Sequence, residues 1–453
     1  METLDSLRSG LASGRLAGCQ SLKLADDLRE FPLEILDLAD SLTFLNLSNN
    51  RLTQLPPSFA QLQKLEIVFF NNNSFESFPI VLAQCPQLSM VSFKNNAIRS
   101  VSPQALSSHL RWLILTNNQL STLPPTVGKL HRLQKFMLAG NQLESVPPAL
   151  ENCQNLELIR LSANRLKALP KWLLDLPKLS WIAYAGNPCC PSDPAERVVS
   201  DSVGVRSLLN INPSELQIGD ILGQGASGVI YQAQWTPTTP SSSFQTSRSQ
   251  PQTVALKIFK GDITSDGSPQ DEMKACIAAG THENLVSVLG QYCEANNTGL
   301  VFDFIPPDYQ NLGGPPSLET CTRDTYESTV SFSAEKILAI IKGIAAVVAH
   351  LHRRGIMHGD LYAHNILINA DGHSILGDFG AASIYDVADV GPAPEQLEVR
   401  AFGCLLEDLL DRCSSPQSAA LLELQQLQAD CIQPKPSARP LFEEICQRLD
   451  WLT

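Results

Sequence analysis

The second half of the chain contains residues whose types and spacing suit phosphate chemistry. A glycine-rich run, Gly223-Gln-Gly225-Ala-Ser-Gly228, lies between two apolar runs. Glycines let a backbone turn come close to a polyphosphate, and these flanks predict strand–turn–strand rather than the strand–turn–helix of a dinucleotide site. Further on, a strand-like Val-Ala-Leu-Lys run ends at Lys257. A lysine in that position suits phosphate oxygens.

Three further motifs follow in order along the chain. They are His358-Gly-Asp360-Leu-Tyr-Ala-His-Asn365, then Asp378-Phe-Gly380, then Ala393-Pro-Glu395. With the glycine run and Lys257, this ordered set resembles the eukaryotic-type protein kinase family over about residues 215–453. Because five motifs occur in the family's order, the resemblance is highly specific.

The resemblance implies a role for each matched catalytic residue. Lys257 would hold the α- and β-phosphates of ATP, and an acidic residue on the next helix would orient it. Glu272 is the preferred candidate, and Asp271 is the alternative, because the spacing to the following motif is one residue longer than usual. Asp360 would accept the proton of the substrate hydroxyl or orient that hydroxyl.

The resemblance also implies ATP and Mg²⁺ as cofactors. Asn365 and Asp378 would ligate Mg²⁺, since phosphoryl transfer depends mainly on positioning and charge neutralisation. Ala255 and Leu367 would sandwich the adenine, and Phe302 would begin the gatekeeper and hinge segment. The implied nucleotide-binding residues are Gly223, Gly225, Gly228, Val229, Ala255, Lys257, Phe302 and Leu367.

Several positions depart from the family pattern and keep three functions open. Gly359 replaces the arginine that docks a phosphorylated activation loop in the family, and Tyr362-Ala-His364 matches neither the serine/threonine nor the tyrosine kinase motif. Only 12 residues separate Gly380 from Ala393. A protein kinase, with Ser/Thr favoured over Tyr, is the preferred hypothesis. An inactive kinase-fold scaffold and a small-molecule phosphotransferase, in which His-Gly-Asp is also common, are the alternatives.

The first 190 residues repeat with a period of 22 or 23 residues, marked by asparagines at Asn50, Asn73, Asn96, Asn118, Asn141, Asn164 and Asn187. Each asparagine ends one copy of a pattern, as in Leu42-x-x-Leu45-x-Leu47-x-x-Asn50. This resembles the leucine-rich repeat family over about residues 19–190. Each repeat predicts one short strand, and the leucines of successive repeats stack into a core that none could bury alone. We expect each asparagine amide to satisfy backbone groups of the following turn, without a chemical role.

The two positions that flank the second leucine of each repeat should face outward on the concave side of this solenoid. They are Phe44, Ile67, Met90, Trp112, Lys135, Leu158 and Trp181, then Asn46, Phe69, Ser92, Ile114, Met137, Arg160 and Ala183. A large apolar patch usually marks a binding site. The sequence therefore predicts a concave surface for a protein substrate or regulator, or for the chain's own second half.

Composition limits the remaining possibilities. The chain has 453 residues, of which 43% are hydrophobic, and a net charge of −13. An acidic chain without a basic run is a poor candidate for binding nucleic acid or an anionic membrane. No secretory signal or membrane span is evident, and the 12 cysteines fit neither a disulfide framework nor a zinc motif. The expected location is therefore the cytoplasm.

These observations predict three regions. Residues 1–190 form an α/β leucine-rich repeat solenoid of short parallel strands, residues 191–214 form a linker, and residues 215–453 form an α+β bilobal domain like that of protein kinases. The long apolar stretch from Ile337 to Leu351 is expected to be a buried helix.

Overall fold

The chain divides into two compact units. A computed structural model describes residues 2–191, 209–225, 227–237, 251–261, 263–295 and 297–452. The first unit comprises Met1–Leu179 and Asn187–Cys189, and the second comprises Ser180–Gly186 and Cys190–Thr453. Most of the predicted linker, residues 192–208, lies outside the described residues.

Short parallel strands at regular spacing form the repeat array, as the sequence predicts. They pair in chain order, β1 to β8. Their bounds are β1 (Ser21–Lys23), β2 (Phe44–Asn46), β3 (Ile67–Phe69), β4 (Met90–Ser92), β5 (Trp112–Ile114), β6 (Lys135–Met137), β7 (Leu158–Arg160) and β8 (Trp181–Ala183). Helices α1 (Leu4–Ala12) and α2 (Lys171–Leu174) lie near the two ends, and 3-10 turns span Leu33–Leu38, Pro57–Gln61, Ile80–Gln84, Pro125–Lys129 and Pro148–Asn152.

The strands place alternate side chains on opposite faces of the sheet. Middle residues such as Leu45 and Phe136 are completely buried, because they form the core shared between repeats. The flanking residues do not all form an open surface. Phe44 and Ile67 keep part of their surface exposed, whereas Leu158 is 2% exposed. The predicted concave apolar surface is therefore open at β2 and β3 and largely closed from β4 onward.

The repeated asparagines bond to backbone groups, which confirms their predicted structural role. The Asn118 carbonyl oxygen accepts the backbone N–H of Ile98 at 2.9 Å. Its amide donates to the carbonyls of Phe93 and Leu115 at 2.9 and 3.0 Å. Each buried asparagine thus links its own turn to the preceding repeat, and it satisfies groups that water cannot reach.

Replacing Asn118 with alanine is expected to destabilise the repeat array by at least about 2 kcal/mol, because it leaves several buried polar groups without partners. Urea unfolding followed by circular dichroism measures the effect. Gln154→Ala is the matched control, because the Gln154 side chain is exposed and bonds only to the nearby Glu151 carbonyl, at 2.7 Å. Equal unfolding midpoints for the two variants would contradict a bridging role for Asn118.

The second unit contains a mixed sheet. Its strand order is β10-β11-β12-β14-β13-β9. The strands are β9 (Leu209–Ile211), β10 (Leu216–Gln224), β11 (Gly228–Trp235), β12 (Gln252–Phe259), β13 (Val288–Glu294) and β14 (Asn297–Asp303), and helix α3 spans Pro269–Ala279. Strand β9 lies inside the range predicted as linker and pairs in parallel with β13. Val254, Leu256 and Val301 belong to the core on one face of this sheet.

Helices dominate the rest of the second unit. They are α4 (Ala334–Arg353), α5 (Val387–Val390), α6 (Ala393–Leu410), α7 (Ala419–Cys431) and α8 (Phe442–Asp450), with short strands β15 (Gln310–Asn311), β16 (Ile356–Met357), β17 (Ile366–Ile368), β18 (Ser374–Leu376) and β19 (Ser383–Ile384) and 3-10 turns Pro213–Glu215, Ala363–Asn365 and Pro436–Ala438. The predicted apolar helix is confirmed as α4. Among the described residues, no helix is both long and apolar enough to cross a bilayer.

Candidate functional site

The glycine-rich run forms the turn between β10 and β11, as its flanks predict. The Gly225 N–H donates to the Gly228 carbonyl at 3.0 Å, which closes the turn. A Cβ added at Gly228 would lie 2.5 Å from the Ile258 carbonyl oxygen, so packing against β12 requires a glycine there. In contrast, no described atom lies within 4 Å of a Cβ built at Gly223 or Gly225. These two glycines leave open space for a ligand.

Alanine substitutions should separate the packing role of Gly228 from the role of Gly223 and Gly225 in leaving space for a ligand. Gly223→Ala with Gly225→Ala is expected to leave the melting temperature nearly unchanged and to weaken ATP binding about tenfold, since a new methyl group would keep the backbone from a phosphate. Gly228→Ala should instead lower the melting temperature. Calorimetric titration and thermal unfolding of the same samples check both effects. Unaltered ATP affinity in the double variant would contradict a phosphate-binding turn.

A buried ion pair joins β12 to α3. Lys257 Nζ contacts Glu272 Oε1, and the two side chains are only 12% and 3% exposed. The N-cap Ser268 begins α3 and bonds to Asp271, at 2.7 Å between the Ser268 hydroxyl and Asp271 Oδ2. The structure thus brings Lys257 together with Glu272, whereas the side chain of the alternative candidate, Asp271, bonds to the N-cap of its own helix.

The electrostatics keep this lysine charged. Burial by itself would lower the pKa of Lys257, but the carboxylates of Glu272 and Asp378 outweigh it and raise that pKa above its ordinary value. Asp378 also has a left-handed backbone, with φ of 55°, a conformation that costs energy in residues other than glycine. Its Oδ1 accepts the Gly380 N–H at 3.1 Å, which helps to fix it.

Glu272 and Asp378 both lie close to one glycine. A Cβ added at Gly380 would be 3.2 Å from Asp378 Oδ1 and 3.8 Å from Glu272 Oε2. The structure therefore brings three of the residues singled out in the sequence, Lys257, Glu272 and Asp378, into one charged cluster.

The residues expected to contact an adenine lie on strands with buried neighbours. Ala255 and Lys257 share one face of β12, and Ala255 pairs directly with Phe302 of β14. Val229 and Leu367 are likewise half-buried, on β11 and β17. Alternation along β12 turns Ala255 away from the core that Val254 and Leu256 form. Such half-buried apolar side chains suit the lining of a cleft.

A loop that ends at the β17–β18 hairpin positions Asp360 and Asn365. The Asn365 amide donates to the carbonyl and to Oδ2 of Asp360, both at 2.9 Å. The Gly377 N–H donates to the Asn365 carbonyl at 3.0 Å. His358 is fully buried, and its Nε2 lies 2.9 Å from the Gly377 carbonyl. Asn365 comes just before β17 and Asp378 comes just after β18. The two residues therefore lie at the same end of the hairpin.

The side-chain oxygens of Asn365 and Asp378 could contribute to a metal site. The described residues contain no cluster of three or more His, Cys, Asp or Glu side chains that could hold a metal. Mg²⁺ is usually bound by one or two carboxylates together with water and substrate phosphates. Asn365 and Asp378 supply the oxygen ligands that such a site needs.

A carboxylate from α6 holds the backbone of this loop. Glu398 is fully buried, and its two oxygens accept the N–H groups of His358 and Gly359 at 3.1 and 2.6 Å. His352 Nε2 lies 2.9 Å from Glu398 Oε2. Burial would raise the pKa of Glu398, but the hydrogen bond and charge of His352, with other contributions, hold it below its ordinary value.

Asp324 is a site residue that sequence reasoning missed. It lies between β15 and α4, yet its carboxylate accepts the Ala363 N–H at 2.5 Å and contacts His364 Nδ1 at 2.7 Å. Burial would lower the pKa of His364, but this contact and nearby carboxylates raise it. No motif surrounds Asp324, so no local signal in the sequence could have identified it.

Comparisons with family profiles agree with the division of the chain into a repeat array and a second unit. The profile described as protein tyrosine and serine/threonine kinase matches residues 216–400. Leucine-rich repeat profiles match residues 131–188 and residues 41–62 and 109–130. The first match contains every candidate site residue, and the others fall on the strands of the parallel repeat array.

Three curated relatives each match less than half of the chain. The serine/threonine-protein kinase AtPK2/AtPK19 of Arabidopsis thaliana is 26% identical over 208 residues, which cover 45% of this chain and 37% of the relative. The putative L-type lectin-domain containing receptor kinase V.6 of the same plant is 30% identical over 169 residues, 37% of this chain and 29% of the relative. Fibroblast growth factor receptor 1 of Pleurodeles waltl is 22% identical over 245 residues, 44% of this chain and 30% of the relative. The matched region spans about a third of each relative.

Proposed function

We propose that this chain, a leucine-rich repeat protein with a protein kinase domain, is an active kinase that uses ATP and Mg²⁺. It transfers the γ-phosphoryl group to serine or threonine hydroxyls of proteins. The observation that carries the proposal is the charged cluster in which the buried Lys257–Glu272 pair lies next to Asp378. Such a cluster can hold a polyphosphate and its metal ion close to a glycine turn.

Each residue has a separate task in this proposal. Lys257 binds the α- and β-phosphates, and Glu272 fixes the direction of its ammonium group. Asn365 and Asp378 would hold Mg²⁺, which when bound neutralises charge on the phosphates. Asp360 orients the substrate hydroxyl or accepts its proton. The hydrogen bonds from Asn365 to Asp360 keep the proposed metal ligand beside the proposed base.

The preference for serine and threonine rests on the relatives and on no single contact. AtPK2/AtPK19 is named as a serine/threonine-protein kinase, while the matches also include a growth factor receptor. The motif Tyr362-Ala-His364 differs from both types of kinase.

The repeats are proposed to bind a protein substrate or regulator. Phe44 and Phe69 are partly exposed on β2 and β3, and their rings meet edge to face with centroids 5.6 Å apart. An apolar surface of this kind suits another protein better than a nucleic acid.

We also propose a cytoplasmic location and the domain boundaries 1–190, 191–214 and 215–453. Buried cysteines of both units, such as Cys85 and Cys431, are free thiols. Free buried thiols of this kind fit a reducing compartment.

Incubation of the purified chain with labelled ATP and Mg²⁺, followed by mass spectrometry, tests the proposed activity. We expect label on serine or threonine in the wild type and none in Asp360→Asn, with ATP affinity retained. Asp371→Asn, an exposed aspartate after β17, is the matched control and should behave like wild type. ATP binding without transfer to the chain or to generic protein substrates would favour the scaffold alternative. Transfer only to small hydroxylated compounds would favour the small-molecule alternative.

A further inference from the structure

A short segment of the last repeat, Ser180–Gly186, belongs to the second compact unit, where it packs against the proposed catalytic loop. The indole ring of Trp181 stacks flat on Tyr362, with centroids 4.4 Å apart and planes within 8°. Its N–H also donates to the Leu361 carbonyl at 3.1 Å. Trp181 is 2% exposed and Tyr362 is 5% exposed. Trp181 thus covers the two residues that follow Asp360 instead of forming open concave surface.

The backbone of the same segment explains the glycine that precedes Asp360. Gly359 has a φ of 73°, which disfavours any residue with a side chain. A Cβ there would also lie less than 3.0 Å from the Ile182 carbonyl oxygen and 2.8 Å from that of Ala381. Because Ile182 occupies this space, an arginine cannot fit at position 359 without displacing the segment.

Two further hydrogen bonds extend the contact beyond the loop. The Tyr184 N–H donates to the Ser383 hydroxyl at 3.0 Å, and Ser383 is fully buried in β19. Arg400 of α6 donates to the Ser180 hydroxyl at 2.9 Å. The segment therefore contacts the catalytic loop, the strand that follows Asp378, and the helix that carries Glu398.

We propose that Ser180–Gly186 is a positioning element for Asp360, with Trp181 as its main residue. Packing and hydrogen bonds from this segment hold the loop around Asp360 and the strand around Ser383 in place. Its backbone fills the position where a side chain at 359 could receive a phosphorylated residue. The active arrangement therefore requires no phosphate on the chain. The catalytic part of this inference rests on the proposed kinase function.

Hydrogen exchange of the full chain tests the positioning itself, whether or not the protein is a kinase. Trp181→Ala should accelerate amide exchange in peptides that cover 358–365 and 381–385. Trp172→Ala, which removes a half-buried tryptophan from α2 of the first unit, should not. If Trp181→Ala does not fold, Trp181→Phe gives the test, because it keeps a ring but loses the N–H donated to Leu361. Unchanged exchange in the folded variant would overturn the proposal.

Activity measurements separate this inference from the function on which it rests. Phosphatase-treated wild type should keep its rate, and Trp181→Ala should lower kcat about tenfold or more while the KM for ATP stays within about twofold. If wild type transfers no more label than Asp360→Asn, the proposed kinase function fails and the exchange data still decide the positioning role. If wild type is active and Trp181→Ala has the same kcat, the positioning role is wrong. Loss of wild-type activity after phosphatase treatment would overturn the independence from phosphorylation.

Discussion

Replacing Lys257 with methionine is expected to lower phosphoryl transfer by about a hundredfold to a thousandfold, the usual effect of losing one group that stabilises transition-state charge. Among the residues that the structure describes, Lys257 supplies the only cationic group that contacts Glu272 in the charged cluster. Methionine keeps the apolar stem but removes the charge. Label transfer at saturating ATP and calorimetric ATP binding measure the effect on catalysis and on affinity. Unreduced transfer would reject the proposed role of Lys257.

The same substitution should change stability in a way that does not depend on activity. Without Lys257, the buried Glu272 carboxylate loses its cation, and breaking such a pair costs about 3–5 kcal/mol. Burial already raises the pKa of Glu272 in the wild type, and loss of the nearby cation raises it further. A carboxyl group with a raised folded-state pKa binds more protons in the folded than in the unfolded chain, so stability should fall as pH rises above the ordinary carboxyl pKa of about 4.

Two further variants make this stability test specific. Lys257→Met with Glu272→Gln should recover much of the stability at neutral pH without recovering transfer, because no buried charge is left unpaired. Lys274→Met changes a lysine of α3 that is 53% exposed and should alter the free energy of unfolding by less than about 1 kcal/mol. A double variant no more stable than Lys257→Met would contradict the ion-pair explanation.

The repeat array could be predicted closely because its signal is periodic. The positions assigned to the outward face coincide with the first and last residues of β2 to β8. The closure of the concave side from Met90 onward could not be predicted, since the burial of an outward-facing residue depends on neighbours distant in sequence. The three-residue strand β9 was also beyond prediction, because it has no pattern of its own and exists only through pairing with β13.

In the second unit, motifs identified residues but not the contacts between them. Spacing left Glu272 and Asp271 as alternatives, and the orientation of α3 distinguishes them geometrically. The absence of an arginine at position 359 was visible as a departure from a family pattern. Its physical reason, the backbone of Ile182, lies 177 residues earlier in the chain (359 − 182 = 177). Contacts between residues so far apart in sequence produce no local periodicity or motif.

Glu398→Gln is expected to lower the free energy of unfolding by about 1–3 kcal/mol, because one buried backbone N–H group loses its acceptor. The N–H groups of His358 and Gly359 approach different oxygens of this carboxylate. An amide has one acceptor oxygen, so its NH₂ group must face one of these donors. Because these amides precede Asp360, we also expect a lower kcat. Urea unfolding and label transfer on the same preparation measure both effects.

The pH dependence of the stability difference distinguishes loss of the Glu398 charge from a simple loss of packing. The folded-state pKa of Glu398 lies below its ordinary value, so the folded chain binds fewer protons than the unfolded chain at mildly acidic pH. The stabilisation is fully present above the unfolded pKa of about 4.3 and is lost as pH falls through the folded value. The stability difference between wild type and Glu398→Gln should therefore shrink on acidification from about pH 6 to about pH 3. Glu407→Gln, on the same helix but 39% exposed, is the matched control. A stability difference for Glu398→Gln that stays constant with pH would show that shape, not charge, holds the loop before Asp360.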